Sequence, residues 1–121
     1  MKYETLYDEF AQLFPADAAK LKKIEKNAEA DSSDGMHVMF GMVVVPFVLD
    51  LLAESDEEKL KKVFSYFEKM AESDNTKISE VLEFTVLEDF ISRGNGILDN
   101  FKRFMGKKTI ERCEKVEKYM M

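Results

Sequence analysis

A turn and the helix after it occur twice in this chain, eighteen residues apart. Leu52-Ala53-Glu54-Ser55-Asp56 returns as Met70-Ala71-Glu72-Ser73-Asp74. The register holds downstream: Lys59 matches Lys77, Leu60 matches Ile78, Val63 matches Val81, Phe64 matches Leu82 and Tyr66 matches Phe84. Each copy reads as one turn and one amphipathic helix. Such units cover their apolar faces by stacking on neighbours, as in helical solenoids and adaptor folds. Folds of that kind more often bind proteins than perform chemistry.

The rest of the chain reads the same way. Tyr3, Leu6, Tyr7, Phe10, Leu13 and Phe14 recur at helical spacing until Pro15, which cannot continue a helix. Asp17 is placed to cap a second helix through Leu21 and Ile24 to about Ala28. Asp31-Ser32-Ser33-Asp34-Gly35 is a polar turn. Met36 to Ala53 is almost wholly apolar and too long for one strand, despite Val43-Val44-Val45. It predicts a helix buried on most sides, kinked by Pro46 near Met42, whose carbonyl loses its amide partner. Because it contains His37, Pro46 and Asp50, it falls short of the ~20 apolar residues a spanning helix needs.

Ser55 and Glu58 have capping-box spacing, opening a helix to about Ala71 with Leu60, Val63, Phe64, Phe67 and Met70 on one face. The next begins near Thr76. It turns Ile78, Val81, Leu82, Thr85, Val86 and Phe90 inward, and Glu80, Glu83 and Asp89 outward. After Arg93-Gly94-Asn95-Gly96, a short helix carries Ile97, Leu98, Phe101, Phe104 and Met105, and Gly106 closes it as a left-handed cap. The last helix, Lys107 to Tyr119, packs through Ile110, Cys113, Val116 and Met120. Seven helices without a linker predict one all-α domain over residues 1–121, a HEAT-like or α-solenoid-like stack or an irregular helical bundle. Glycine and proline total only seven residues, too few for a turn-rich β fold.

Charge narrows the function. The net charge is −6, unevenly spread. Residues 31–90 hold five lysines against fourteen acids, whereas residues 91–121 hold eight lysines and arginines against four acids. An acidic centre repels nucleic acid and attracts basic proteins. The acids at Asp31, Asp34, Asp50, Glu54, Asp56, Glu57 and Glu58 cluster at the turns on either side of the central apolar helix. Loops on a rigid scaffold are common binding sites, so Asp31, Asp34, Glu54, Asp56, Glu57 and Glu58, with His37, are the expected protein interface. The basic C-terminal region balances the acidic middle within the monomer, with Phe101 and Phe104 facing the core rather than stacking on bases.

Catalytic and metal chemistry find no constellation. His37 is the only histidine and Cys113 the only cysteine; a zinc site needs three or four ligands, and a thiol nucleophile needs a base. His37 is expected to make a structural hydrogen bond, with Asp34 in reach one turn back. Cys113 is expected to be a small buried hydrophobe, and with no second cysteine it fits a reducing cytosol. Glu80, Glu83 and Asp89 read as a solvated helix face. The expectation is a non-enzyme without cofactor or metal, binding neither nucleic acid nor membrane, its oligomeric state open. The acidic amphipathic N-terminus has no secretory pattern, which predicts a cytoplasmic protein.

From His37-Val38-Met39-Phe40-Gly41, through Pro46-Phe47-Val48-Leu49-Asp50-Leu51-Leu52 and Ser55-Asp56-Glu57-Glu58, to Phe67-Glu68-Lys69-Met70 and Leu87-Glu88, the chain resembles a HEAT-type helical pair and its continuation. Lys59 or Lys61 stands nearest the place of the arginine usual in such a pair. More narrowly, it resembles small acidic all-helical bacterial proteins, among them immunity proteins of contact-dependent growth inhibition and other polymorphic toxin systems. That resemblance implies a protein that binds and neutralises a basic, nuclease-like toxin domain through an acidic surface. The alternatives are an adaptor for some other protein and, third, an enzyme or small-molecule binder.

Overall fold

Helices begin and end at the residues that interrupt the apolar periodicity. The computed structural model describes residues 1–121. α1 (Leu6–Gln12) is entered through a 3-10 turn at Tyr3–Thr5 and stops ahead of Pro15. α2 (Ala18–Ala28) ends on Glu29, whose φ of 54° is left-handed. The Glu29 N–H donates to the Lys26 carbonyl at 3.1 Å and the Ala30 N–H to the Glu25 carbonyl at 3.0 Å, the two bonds of a Schellman end. There follow α3 (Met36–Ala53), α4 (Glu57–Glu72), α5 (76–93), α6 (Ile97–Lys102) and α7 (Lys107–Met120). The fold is all-α, with seven helices and no strand. One hydrophobic core takes side chains from all seven, from Leu6 of α1 to Cys113 of α7. Phe10 is its aromatic hub, with Phe14, Phe40, Phe47, Tyr66 and Phe67 ring centroids 5.3–6.3 Å away.

Three caps differ from the sequence expectation. Ser55 does not cap α4, because it is already committed to closing α3. At φ 55° its N–H donates to the Leu52 carbonyl, and the Asp56 N–H donates to that of Leu51, both at 3.0 Å. Asp56 takes over the cap, its carboxylate accepting from the Lys59 N–H at 3.2 Å. Asp17 makes no cap bond to α2; its carboxylate meets Lys59 Nζ of α4 at 2.8 Å. Gly106 is extended (φ −76°) rather than left-handed, and precedes α7. There the Glu68 carboxylate accepts from the Lys108 and Thr109 N–H groups, both at 2.9 Å, and from the Thr109 hydroxyl at 2.8 Å. A Cβ at position 106 would lie 2.5 Å from Glu68 Cδ, so only glycine lets this carboxylate in.

Two helices change their winding part way. α3 opens into a π turn over Phe40–Val44, where the Val45 N–H reaches back to the Phe40 carbonyl. Pro46 follows at once, so the kink expected near Met42 is taken up as a widened turn. α5 widens over Val81–Leu87, the Glu88 N–H reaching the Glu83 carbonyl, with no proline nearby. The two widened turns pack together: a Cβ on Gly41 would stand 3.2 Å from Thr85 Cγ2. α3 is the one helix long and apolar enough to cross a membrane, at 18 residues and mean hydropathy 2.0. Here Phe40, Val43, Val44, Phe47 and Val48 are fully buried, as the core-helix reading requires.

Candidate functional site

The acidic residues singled out in the sequence fall into two groups, one at each end of α3, about 27 Å apart at 1.5 Å per residue. Asp31 and Asp34 close the loop before it. The Ser33 N–H donates to Asp31 Oδ1 and the Asp31 N–H to Asp34 Oδ2, each at 2.8 Å, forming a reciprocal capping box. Bonds from the Ser33 hydroxyl and N–H hold the Asp31 carboxyl below its usual range. His37 does not pair with Asp34; its Nδ1 bonds the Thr85 hydroxyl, tying the start of α3 to the widened turn of α5.

The second group surrounds the α3–α4 turn. Lys20 bridges Glu54 (3.1 Å) and Asp50 (3.7 Å), Lys59 bridges Asp17 (2.8 Å) and Asp56 (3.8 Å), and Arg103 reaches Glu57 at 3.7 Å. Glu58 is exposed and has no cation within 4 Å. Six carboxylates thus share three cations, leaving an excess of three negative charges. Asp17, Asp56 and Lys59 hold the fold together; Glu54, Glu57 and Glu58 project into solvent. Lys61 and Lys62, one turn further along α4, bound the patch.

A second feature was not legible in the sequence. The extra residue in the α5 turn rotates later side chains by about 100° relative to α spacing. Glu83, expected on the solvated face, is therefore buried, its side chain only 3% exposed. Phe84, which matches buried Tyr66 in the repeat, is 44% exposed. Glu83 Oε2 lies 3.1 Å from Arg112 Nη1 and 3.3 Å from Lys115 Nζ, both on α7. Arg112 also donates through Nε to the Ala71 carbonyl at 2.8 Å, so one guanidinium joins the end of α4 to α5. Beside this cluster a groove of about 580 Å3 runs between α5 and α7, with Val116 buried along it and Phe84 and Tyr119 exposed at its edge. The two rings stand 6.2 Å apart. The warning in the sequence is Val81-Leu82-Glu83-Phe84-Thr85-Val86-Leu87, a run too apolar for a surface helix and with Glu83 inside it.

The basic C-terminal segment is spent largely within the chain. Arg103 serves Glu57, Lys102 serves Glu117 at 3.2 Å, and Arg112 and Lys115 serve Glu83. Phe101 is fully buried and Phe104 partly so. Cys113 is buried, and burial, with Glu117 nearby, pushes its thiol up to about 11. It is a thiol at neutral pH, in a place that suits packing and not nucleophilic attack. No three His, Cys, Asp or Glu side chains approach closely enough to hold a metal ion together. No curated protein and no solved structure matches the chain. The family model for a domain of unknown function, DUF7674, matches residues 7–121, which include α2 to α7 entire, and the chain belongs to that family.

Proposed function

We propose that this chain is a protein-binding inhibitor, an immunity protein that captures a basic toxin domain in the cytoplasm and blocks its active site or the approach of its substrate. The observation that carries this reading is the excess of acid around the α3–α4 turn, where Glu54, Glu57 and Glu58 stay in solvent after the local ion pairs are made. A surface of that sign repels polyanions and speeds encounter with a basic partner. The chain's overall charge of −6 adds to the same field. The resemblance to small acidic helical bacterial proteins supplies the class of partner.

The test uses the tagged full chain as bait in lysate of its source, washed at low salt and then at roughly 0.5 M, where exposed charges are screened within a few ångströms. A variant carrying Glu54→Lys, Glu57→Lys and Glu58→Lys keeps Asp56 and with it the cap of α4. The expected result is a basic protein that the wild type holds at low salt and the variant loses. Expressed alone, that protein should arrest growth, and co-expression of the chain should relieve the arrest. Equal capture by both baits would sink the placement of the surface. A captured partner without toxicity would leave an adaptor in place of an inhibitor.

A further inference from the structure

The groove between α5 and α7 shares no residue with the acidic turn, and its charges have a different order. Glu111, Glu114, Lys115 and Lys118 are all exposed and form one stripe at spacing i, i+3, i+4, i+7 along α7. All four line the groove together with Phe84 and Tyr119. Within one chain the obvious i,i+4 pairs, Glu111 with Lys115 and Glu114 with Lys118, are not made. Glu111 turns back to Lys108 at 3.5 Å and Lys115 turns in to Glu83, which leaves Glu114 and Lys118 without an ionic partner within 4 Å. Tyr119, 77% exposed, and Phe84 stand uncovered beside them.

The stripe carries two acids followed by two bases, so its net charge is zero. It offers no general attraction to a basic or an acidic partner. Its order is antisymmetric, however, so the same stripe running the other way complements it. A two-fold axis between residues 114 and 115 sets Glu111 against the partner's Lys118 and Glu114 beside the partner's Lys115, whose side chain is 68% exposed beyond its pair with Glu83, each contact occurring twice. Self-complementarity of this kind is what an isologous dimer requires. We infer that a second copy of this chain docks here, α7 antiparallel to α7, covering Phe84 and Tyr119 of both copies. The aromatic rings supply affinity and the charges fix the register.

Sedimentation of the full chain at physiological ionic strength, over about 5–500 μM, tests this in the range where a small interface associates. The wild type should pass from the mass of one chain to that of two. Glu111→Lys and Lys118→Glu each create two like-charge contacts across the axis and should each weaken association at least about tenfold, the equivalent of 1.4 kcal/mol. Both positions are solvent-facing, and unchanged circular dichroism and melting would confirm that each variant folds. Mixed in equal amounts, the two variants regain both opposite-charge contacts, and the two-chain mass should return. A single-chain mass throughout overturns the inference. So does a dimer indifferent to both variants, or one that the mixture fails to restore. None of these residues belongs to the acidic turn, so this result and the capture experiment fail or succeed separately.

Discussion

α3 and α5 each run eighteen residues, each widens into a π turn, and the widened turns pack on each other, yet the local sequence announces only the first. In α3 the signal is in the backbone. Pro46 has no N–H to give Met42, and the extra residue arises just ahead of that gap. In α5 every residue can donate, and the widening instead encloses the turn that points Glu83 at Arg112 and Lys115. The first is local punctuation. The second is a helix reshaped to reach charges on another helix, and the change that buries Glu83 leaves Phe84 in water. A π turn of the first kind can be read along the chain; one of the second kind depends on residues about thirty positions away.

The strongest test of that contrast is Arg112→Ala. It strips the better-buried cation from a carboxylate that is 3% exposed and removes the donor to the Ala71 carbonyl. Lys115 stays at 3.3 Å but is 68% exposed and compensates only in part, so the loss should approach the about 3–5 kcal/mol of a broken buried pair, measurable as a lower urea midpoint. Lys115→Ala removes a cation that is 68% exposed and should cost less than about 1 kcal/mol. Combining Glu83→Leu with Arg112→Met should recover most of the Arg112 loss, since an apolar pair of similar volume avoids burying charge. Equal losses for Arg112→Ala and Lys115→Ala would break the comparison, because α5 would then be held by surface attraction alone.

Glu68 sharpens it as a carboxylate that also holds α7 but needs no change of winding. Replacing it with alanine removes the cap at Lys108 and Thr109 and should cost about 0.5–2 kcal/mol. Burial works to raise its pKa, but the two N–H bonds and the Thr109 hydroxyl outweigh it, and the folded value lies below the ordinary glutamate range. A carboxyl with a depressed folded pKa stabilises the fold above its unfolded pKa and loses that contribution as pH falls through the folded value. The stability gap between wild type and Glu68→Gln should therefore be widest near neutral pH and narrow below about pH 4.3, the unfolded-chain value. A gap that stays constant from pH 7 to pH 3 would show that shape, not charge, is what Glu68 contributes.

Much of this was visible in the residues themselves. Helical spacing from Tyr3 to Phe14, the stop at Pro15, and the apolar run after Gly35 predict the helices and most of the core, because burial follows periodicity wherever the winding is regular. The caps were less legible. Ser55 and Asp56 are both competent caps, and the choice between them depends on how α3 ends, through the Schellman bonds to Leu51 and Leu52. Gly106 has the composition of a left-handed cap, but Glu68, far back in the chain, uses it as an opening. The acidic turn was found because like charges in a short segment stay close in any fold. The groove was missed because the eighteen-residue repeat sets Phe84 on Tyr66 and assumes the same winding in both copies. That assumption holds through Leu82 and fails at Glu83.

The smallest effect is expected where the widened turn is most legible. Pro46→Ala restores an N–H, and a new bond to the Met42 carbonyl is worth about 0.5–1.5 kcal/mol. Against this, the unfolded chain regains freedom worth about 0.4–1 kcal/mol. The two nearly cancel, so stability should move by less than about 1 kcal/mol. The π turn itself should persist. Phe40 lies on one side of it and Phe47, Val48 and Leu51 on the other, all but fully buried. A return to α spacing would rotate one set against the other by about 100° and expel a phenylalanine from the hub around Phe10. A crystal structure of the variant decides the point through one bond, the Val45 N–H to the Phe40 carbonyl. If that amide moves to the Gly41 carbonyl while stability holds, proline alone imposes the winding of α3. If it stays, proline only marks a turn that the core already requires, and α3 differs from α5 in what betrays its shape and not in what holds it.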